Sequence, residues 1–367
     1  MDKPSDPVVV ESGPVHEEVH VGAELETVGL SMLPAPVEEP GFSGDTRVTG
    51  PFITEDSASG VRNVGMYSGH FRPPNRLLAG IGPSHHAMLY HYPSAKRRRE
   101  SLPVAIVLGA LPDINYVAAA NLPYGLDELS IAGGIRQRPV ELVRCKTVPL
   151  EVPAEAEIVI EGEISTEELE AEQPFSDFPG YLMVERHRRP VVKVTAITHR
   201  RNAMLTSILV GLPPSESNGI SRSCREMILY SFLRYSCNLP EVLEVCCPEM
   251  GGGWNWWVIR MRKSHPSKPW QALQAASGRD PANKVIIVVD EDIDPKDPDM
   301  VIWAMSFAMQ PHRDTRVITG RVPLLDPSAY SLISKPEERS YPPPHGCSGI
   351  LIDATRIRLR SDVPVGA

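Results

Sequence analysis

The stretch Arg62–Gly82 reads RNVGMYSGHFRPPNRLLAGIG. Its first ten residues mix apolar and polar side chains with two glycines and no helical spacing, and they predict a strand, in which successive side chains face opposite ways. Pro73 and Pro74 cannot donate to a ladder, and with Arg72 and Asn75 they mark a turn. Leu77–Ile81 then resumes as a second strand, so the stretch specifies a hairpin. Comparable runs follow at LPVAIVLGA (Leu102–Ala110), VELVRCKTV (Val140–Val148), EIVIEGEI (Glu157–Ile164) and RPVVKVTAITHR (Arg189–Arg200). Many short strands with few helices predict a barrel or closed sheet over residues 46–200. Two helices are expected inside this region, at DINYVAAANL, with Asp113 as its N-cap, and at LDELSIAGGI.

The pattern changes after residue 200. SRSCREMILYSFLRYS places Met227, Ile228, Phe232 and Leu233 near helical spacing, and NWWVIRMRK alternates like a strand. PWQALQAAS is a helix with proline at its permitted first position. KVIIVVDEDID is a buried strand ending in acids, DPDMVIWAMSFAM a helix, and DTRVITG a last strand. Residues 201–320 therefore read as an α/β domain. Residues 1–45, rich in Pro and Glu, are expected as a loose lead-in, and 321–367 as a proline-rich C-terminal segment.

Composition narrows the function classes. Of 367 residues 42% are hydrophobic, enough for a core, and 37 prolines exclude a long-helix bundle. The net charge of -9 argues against a nucleic-acid binder. Lys96–Arg99, the one dense basic run, is expected as a solvated loop. The six cysteines form no C-x-x-C pair, which fits a reducing compartment. No apolar run has membrane-spanning length, and the acidic N-terminus lacks a signal-peptide core. A cytoplasmic protein with no membrane partner is expected.

Two stretches carry candidate chemistry. GPSHHAM sets His85 beside His86, and strand alternation turns one of them inward. That residue is either a core histidine or a ligand. EQPFSDFPGY (Glu172–Tyr181) holds Glu172 and Asp177 around Pro174 and Phe175. The two acids either cap a turn or form a proton-handling pair, whose function needs a carboxyl group held near apolar surface such as Phe175 and Phe178. MGGGWNWW lacks dinucleotide-binding spacing and reads as a turn into a strand.

Taken in order, these pieces resemble the UbiD family of prenylated-flavin-dependent decarboxylases. EQPFSDFPGY matches the family's E-x-P-[FY]-x-[ED]-x-x-G-Y segment, and Asn63-Val64-Gly65-Met66-Tyr67 its N-x-G-x-Y strand. His85 in PSHH, Glu128 in PYGLDE, the run VPLEVPAEAEIVIEGEI, and IIVVDEDID followed by VIWAM and HRDT are similar to further family segments. The resemblance covers residues 46–320. It implies an α+β chain: a split β-barrel that binds prenylated FMN, followed by an α/β domain. It implies that Asn63, His85 and Glu128 hold a divalent ion, manganese or magnesium, against the cofactor phosphate, with potassium as a further ion. Gly65, Met66, Tyr67 and Ser84 would join them around the cofactor. Glu172 would donate a proton, with Asp177 beside the reaction centre and Ile81 and Phe178 lining the substrate pocket. The reaction would be reversible, non-oxidative decarboxylation of an aromatic or α,β-unsaturated carboxylic acid. A flavin prenyltransferase would supply the cofactor, and the chain would act as a homo-oligomer or as a subunit of a hetero-oligomer.

The sequence departs from the family at three places. Ser68 stands at a catalytic position where the family has an arginine that pairs with the glutamate, and serine offers no charged bidentate donor. Arg72, four residues on, is about 13 Å further along a strand. Gly349, in SGILIDAT, stands where the family has a lysine near the phosphate. The N-terminal lead-in is shorter than in typical members, and the chain stops soon after Asp353, so a different subunit interface is expected. Two other readings follow: a cofactor-binding subunit of a UbiD-type complex that is catalytically altered or inactive, and a split-barrel flavin oxidoreductase using ordinary FMN.

Overall fold

Alternation along Arg47–Asp56 and Val61–Arg72 produces two long paired strands, β1 and β2. The turn at Arg72–Asn75 returns the chain as β3 (Arg76–Gly80), so the expected hairpin is present. With β4 (Leu102–Leu108), β5 (Ile158–Ala171) and β6 (Arg188–His199), these strands run β6-β3-β2-β1-β4-β5, and β5 pairs again with β6. The result is a closed six-stranded barrel. The computed structural model describes residues 3–37, 44–82, 85–120, 122–183, 188–280, 282–321, 326–329 and 347–356.

The period of two sorts side chains between two cores. Val48, Phe52, Tyr67, Phe71, Leu77, Ile106, Ile160 and Val192 come from all six strands and fill the interior. The intervening Ile53, Val64, Ala105, Val107 and Val159 face outward. They are covered by Ile114 and Val117 of helix α1 (Pro112–Ala119) and Leu129 and Ala132 of helix α2 (Glu128–Arg136). Barrel strands buried on both faces explain why their sequences read as near-continuous apolar runs. Phe52 is fully buried, and its truncation to alanine would cost about 3–5 kcal/mol.

Several local readings are revised. Leu111, not Asp113, is the N-cap of α1, and Asp113 instead takes a two-pronged ion pair from Arg136 at 2.5 and 2.7 Å. Asp127 caps α2 by accepting the Leu129 N–H. The basic run is the end of a helix, Tyr92–Arg98, closed by Arg99 in the left-handed region. There Arg98 donates to Ser57, Ser94 and Glu100, so its charge is spent within the fold. Part of the lead-in is ordered: Val8–Val9 pairs with Glu141–Arg144, and Glu18–Val21 adds to β6.

The chain divides into two compact units. The barrel belongs to the first, which takes Met1–Asp177, Tyr181–Val210 and Ser215–Ile220. The second contains a five-stranded sheet in the order β7-β8-β9-β11-β10, with β7 Val242–Cys246, β8 Trp256–Met261, β9 Val285–Val289, β10 Thr315–Arg321 and β11 Cys347–Ala354. The three central strands are parallel, and the edges are antiparallel. Helix α3 (Lys268–Arg279) covers one face through Ala272, Leu273 and Ala276. Helix α4 (Pro298–Phe307) covers the other through Val301 and Ala304. DTRVITG is therefore not the last strand. β11, from the segment read as a proline-rich tail, inserts between β9 and β10. Among the described residues no helix is long and apolar enough to cross a membrane.

One buried histidine gives the barrel a pH dependence. His91 is fully buried, its Nδ1 lies 2.9 Å from Thr54 Oγ1, and its Nε2 has no partner among the described residues. Burial lowers its pKa from 6.5 to about 4. The unfolded chain therefore binds this proton first, and the stability it contributes is present above 6.5 and lost as pH falls toward 4. Thermal unfolding followed from pH 7 to 4.5 should show a shallower decline in Tm for His91→Gln than for the native protein. Parallel declines would contradict this.

Candidate functional site

Two groups of polar side chains are built into the first unit, toward opposite ends of β2. The first exploits an open edge. β3 pairs only with Ser68–Arg72 of β2, so the backbone upstream lacks that neighbour. The Val64 N–H there donates to Glu128 Oε2 at 3.0 Å. Glu128 begins α2 and is 5% exposed. Burial pushes its carboxyl up to about 7.

Tyr67 is the hub of this group. Asn63, 3% exposed, donates from Nδ2 to the Tyr67 hydroxyl at 3.3 Å. The His85 ring lies 4.8 Å from the Tyr67 ring, and its Nδ1 accepts the Gly82 N–H at 2.9 Å. Burial, reinforced by the charge of nearby Glu128, raises the Tyr67 phenol to about 12. A Cβ at Gly65 would stand 2.1 Å from the Tyr67 ring, so glycine is what lets the ring fold back over the strand. Asn63 and His85 thus meet at one tyrosine, and Glu128 is bonded to the backbone of the same strand. His86 instead packs on Tyr90 and Tyr124. Met66 packs half-buried in the outer core, and Ile81 is buried in the barrel interior. Ser84 lies outside the described residues.

This donor set suits a hard divalent ion. Asn63 can offer its amide oxygen, its Nδ2 being committed to Tyr67. Glu128 has no salt-bridge partner among the described residues, and His85 contributes an imidazole. No cluster of three or more His, Cys, Asp or Glu able to hold a metal occurs among the described residues. The set falls outside that description because one donor is an amide.

The second group surrounds Glu172. β5 ends at Ala171, and the next residue turns its carboxylate into the protein, with its side chain fully buried. Arg189, near the start of β6, donates to Oε2 from Nε at 2.9 Å and to Oε1 from Nη2 at 3.1 Å. His70 Nε2 is 3.9 Å from the same carboxylate. Burial and the charges of Arg47, Arg189 and Arg72 lower the His70 pKa to about 3, so it is neutral. Its ring meets Phe175 edge-on at 5.6 Å, and Arg47 lies 5.0 Å above the same phenylalanine. The aromatic surface expected to keep Glu172 dry therefore acts through His70. The carboxylate itself is held by a guanidinium. Stripping that partner from a buried carboxylate costs about 3–5 kcal/mol, which outweighs any local packing term.

The remaining expected residues are spread out. Asp177 is half-buried at the end of the first unit's long segment. Phe178 belongs to the second unit, where it stacks on Trp254 at 6.2 Å. Ser68 Oγ lies 3.4 Å from Thr49 Oγ1. Arg72 is taken by Asp45 and Glu170 at 2.7 Å each, so it does not replace an arginine at 68. Gly349 lies within β11, where a Cβ would stand 3.0 Å from two carbonyl oxygens, and a lysine there would be crowded. Sequence reasoning missed His70 and Arg189. His70 shares a strand face with Ser68, which was a usable signal. Arg189 carried none, because its partner depends on the β5–β6 register.

The 3-octaprenyl-4-hydroxybenzoate carboxy-lyase Rift-related domain (UbiD) matches residues 8–213, and the C-terminal domain of the same enzymes matches residues 220–354. An uncharacterized protein of Aquifex aeolicus is 36% identical over 324 residues, 87% of this chain and 65% of that protein. The chain thus spans just under two thirds of that relative's length. An evolved dimeric form of the UbiD-class enzyme HmfF from Pelotomaculum thermopropionicum, in complex with prFMN, has a TM-score of 0.81 and 31% identity over 98% of this chain and 77% of its own. The 3,4-dihydroxybenzoic acid decarboxylase AroY of Klebsiella pneumoniae gives 0.82 and 28%, covering 96% of this chain and 74% of that one. With both domain models matched in order across a closed barrel and a following mixed sheet, the chain belongs to the UbiD family.

Proposed function

We propose that the chain catalyses reversible, non-oxidative decarboxylation of an aromatic or α,β-unsaturated carboxylic acid, using prenylated FMN and a divalent ion, manganese or magnesium. The observation that carries this reading is the buried Glu172 carboxylate, fixed at both oxygens by Arg189. The AroY and HmfF likenesses support the substrate class and the cofactor.

Each residue then has a task. Asn63, His85 and Glu128 would hold the cation that neutralises the cofactor phosphate. Prenylated FMN, when bound, supplies the electron sink for the carbon–carbon bond that breaks. Glu172 would carry the proton delivered to the carbon that loses carbon dioxide, and Arg189 would stabilise the carboxylate left behind. Burial of Glu172 keeps bulk water from competing for that carbon. Neutral His70 adds no further positive charge beside the acid. Phe178 and Asp177 are assigned to the substrate side, and oligomer formation is expected as in the dimeric HmfF form.

Two measurements test the reading. Against a panel of benzoic, furoic and cinnamic acids, Glu172→Gln should keep its cofactor and lose turnover by about 10²–10⁴-fold, the range for loss of a general acid. Unchanged turnover would remove Glu172 from the mechanism. Glu128→Ala should lose manganese on dialysis, as read by elemental analysis, while the native protein keeps one ion per chain. Equal retention would refute the proposed metal site.

A further inference from the structure

We infer that Arg189 is the positioning residue for Glu172, performing from β6 the task that a guanidinium at position 68 would perform from β2. The inference rests on the decarboxylase reading above. Glu172 lies just beyond the last rung of its strand. Ala171 pairs with Arg188, and among the described residues no ladder holds the next residue. Its side chain is nonetheless fully buried, so something other than the sheet fixes it. Arg189 sits opposite Glu170, two residues before Glu172, and its side-on grip engages both carboxylate oxygens. A planar fork of this kind fixes the carboxylate's direction as well as its place.

The other basic groups nearby do not meet this need. Arg72 is committed to Asp45 and Glu170, and Arg47 lies over Phe175 and donates to the Val210 carbonyl at 3.5 Å. His70 is neutral and 3.9 Å away. Ser68 is turned to Thr49. Ser68 precedes His70 by two residues on one strand face, about 7 Å along β2. An arginine side chain spans that distance, so position 68 offers a second point from which a guanidinium can reach Glu172.

The test uses the cofactor-loaded protein and the panel acid that it turns over fastest. Arg189→Met should retain cofactor and lower kcat by about 10²-fold, the cost of misplacing a reacting group, with KM little changed. Arg189→Lys should recover part of the loss, and adding Ser68→Arg to Arg189→Met should restore kcat by about tenfold or more. A kcat for Arg189→Met within about threefold of native would overturn the inference. So would equal losses in all three variants accompanied by loss of cofactor, which would mark a purely structural residue. A readout independent of turnover is a thermal-unfolding cycle of Arg189→Met, Glu172→Gln and the double variant. Glu172→Gln should relieve the Tm loss of Arg189→Met, because the unpaired buried charge is gone. Additive losses would overturn the pair. A native protein that turns over no acid refutes the decarboxylase reading alone, and the cycle still decides whether Arg189 holds Glu172.

Discussion

Pairing between β5 and β6 is the constraint on which the first unit depends. It joins Arg188–His199 to Ile158–Ala171 on one side while Val191–Lys193 pair with β3 on the other. Open edges are thereby removed from a sheet whose inner face is almost wholly apolar. Register breaks fall between Pro190 and Val192 and between Val194 and Ala196, where the ladder bends to close. The same pairing sets Arg189 beside the end of β5. Closure of the barrel and anchoring of Glu172 are thus two results of one register.

The two polar groups solve different electrostatic problems. Around Glu172, three arginines concentrate positive charge, and the cost of burying a carboxylate is offset by a two-pronged ion pair. Burial and the same charges keep His70 neutral, so no protonated imidazole stands beside Glu172. Around Tyr67 the balance is reversed. Glu128 is buried against backbone donors with no salt-bridge partner among the described residues, and burial raises its carboxyl to about 7. A buried acid left in that state is one that a divalent ion would stabilise in its charged form.

Much of this was legible in the sequence, for identifiable reasons. Period-two runs bounded by proline and glycine gave the barrel strands, because strands buried on both faces leave little room for polar residues. The N-x-G-x-Y run was readable through its resemblance to the family, and the fold supplies its reason, since a Cβ at Gly65 would meet the Tyr67 ring. The α/β character after residue 200 followed from alternating helix and strand patterns. What stayed hidden depends on pairing between distant segments. Arg189 looked like an ordinary strand-start arginine until β6 met β5. His70 carries no distinguishing pattern in the sequence, and its neighbour Glu172 is set by the fold. β11 reads as tail because proline-rich sequence precedes it, although Ile350–Ile352 is a short apolar run like those of the other central strands.

The central claim is that this fold presents a prenylated-flavin site completed by a divalent ion. Its most direct test is mass spectrometry of the cofactor released from protein co-expressed with a flavin prenyltransferase, with elemental analysis of the same sample. The account predicts prenylated FMN together with one manganese per chain. Recovery of plain FMN alone, or of protein with neither group, would contradict it.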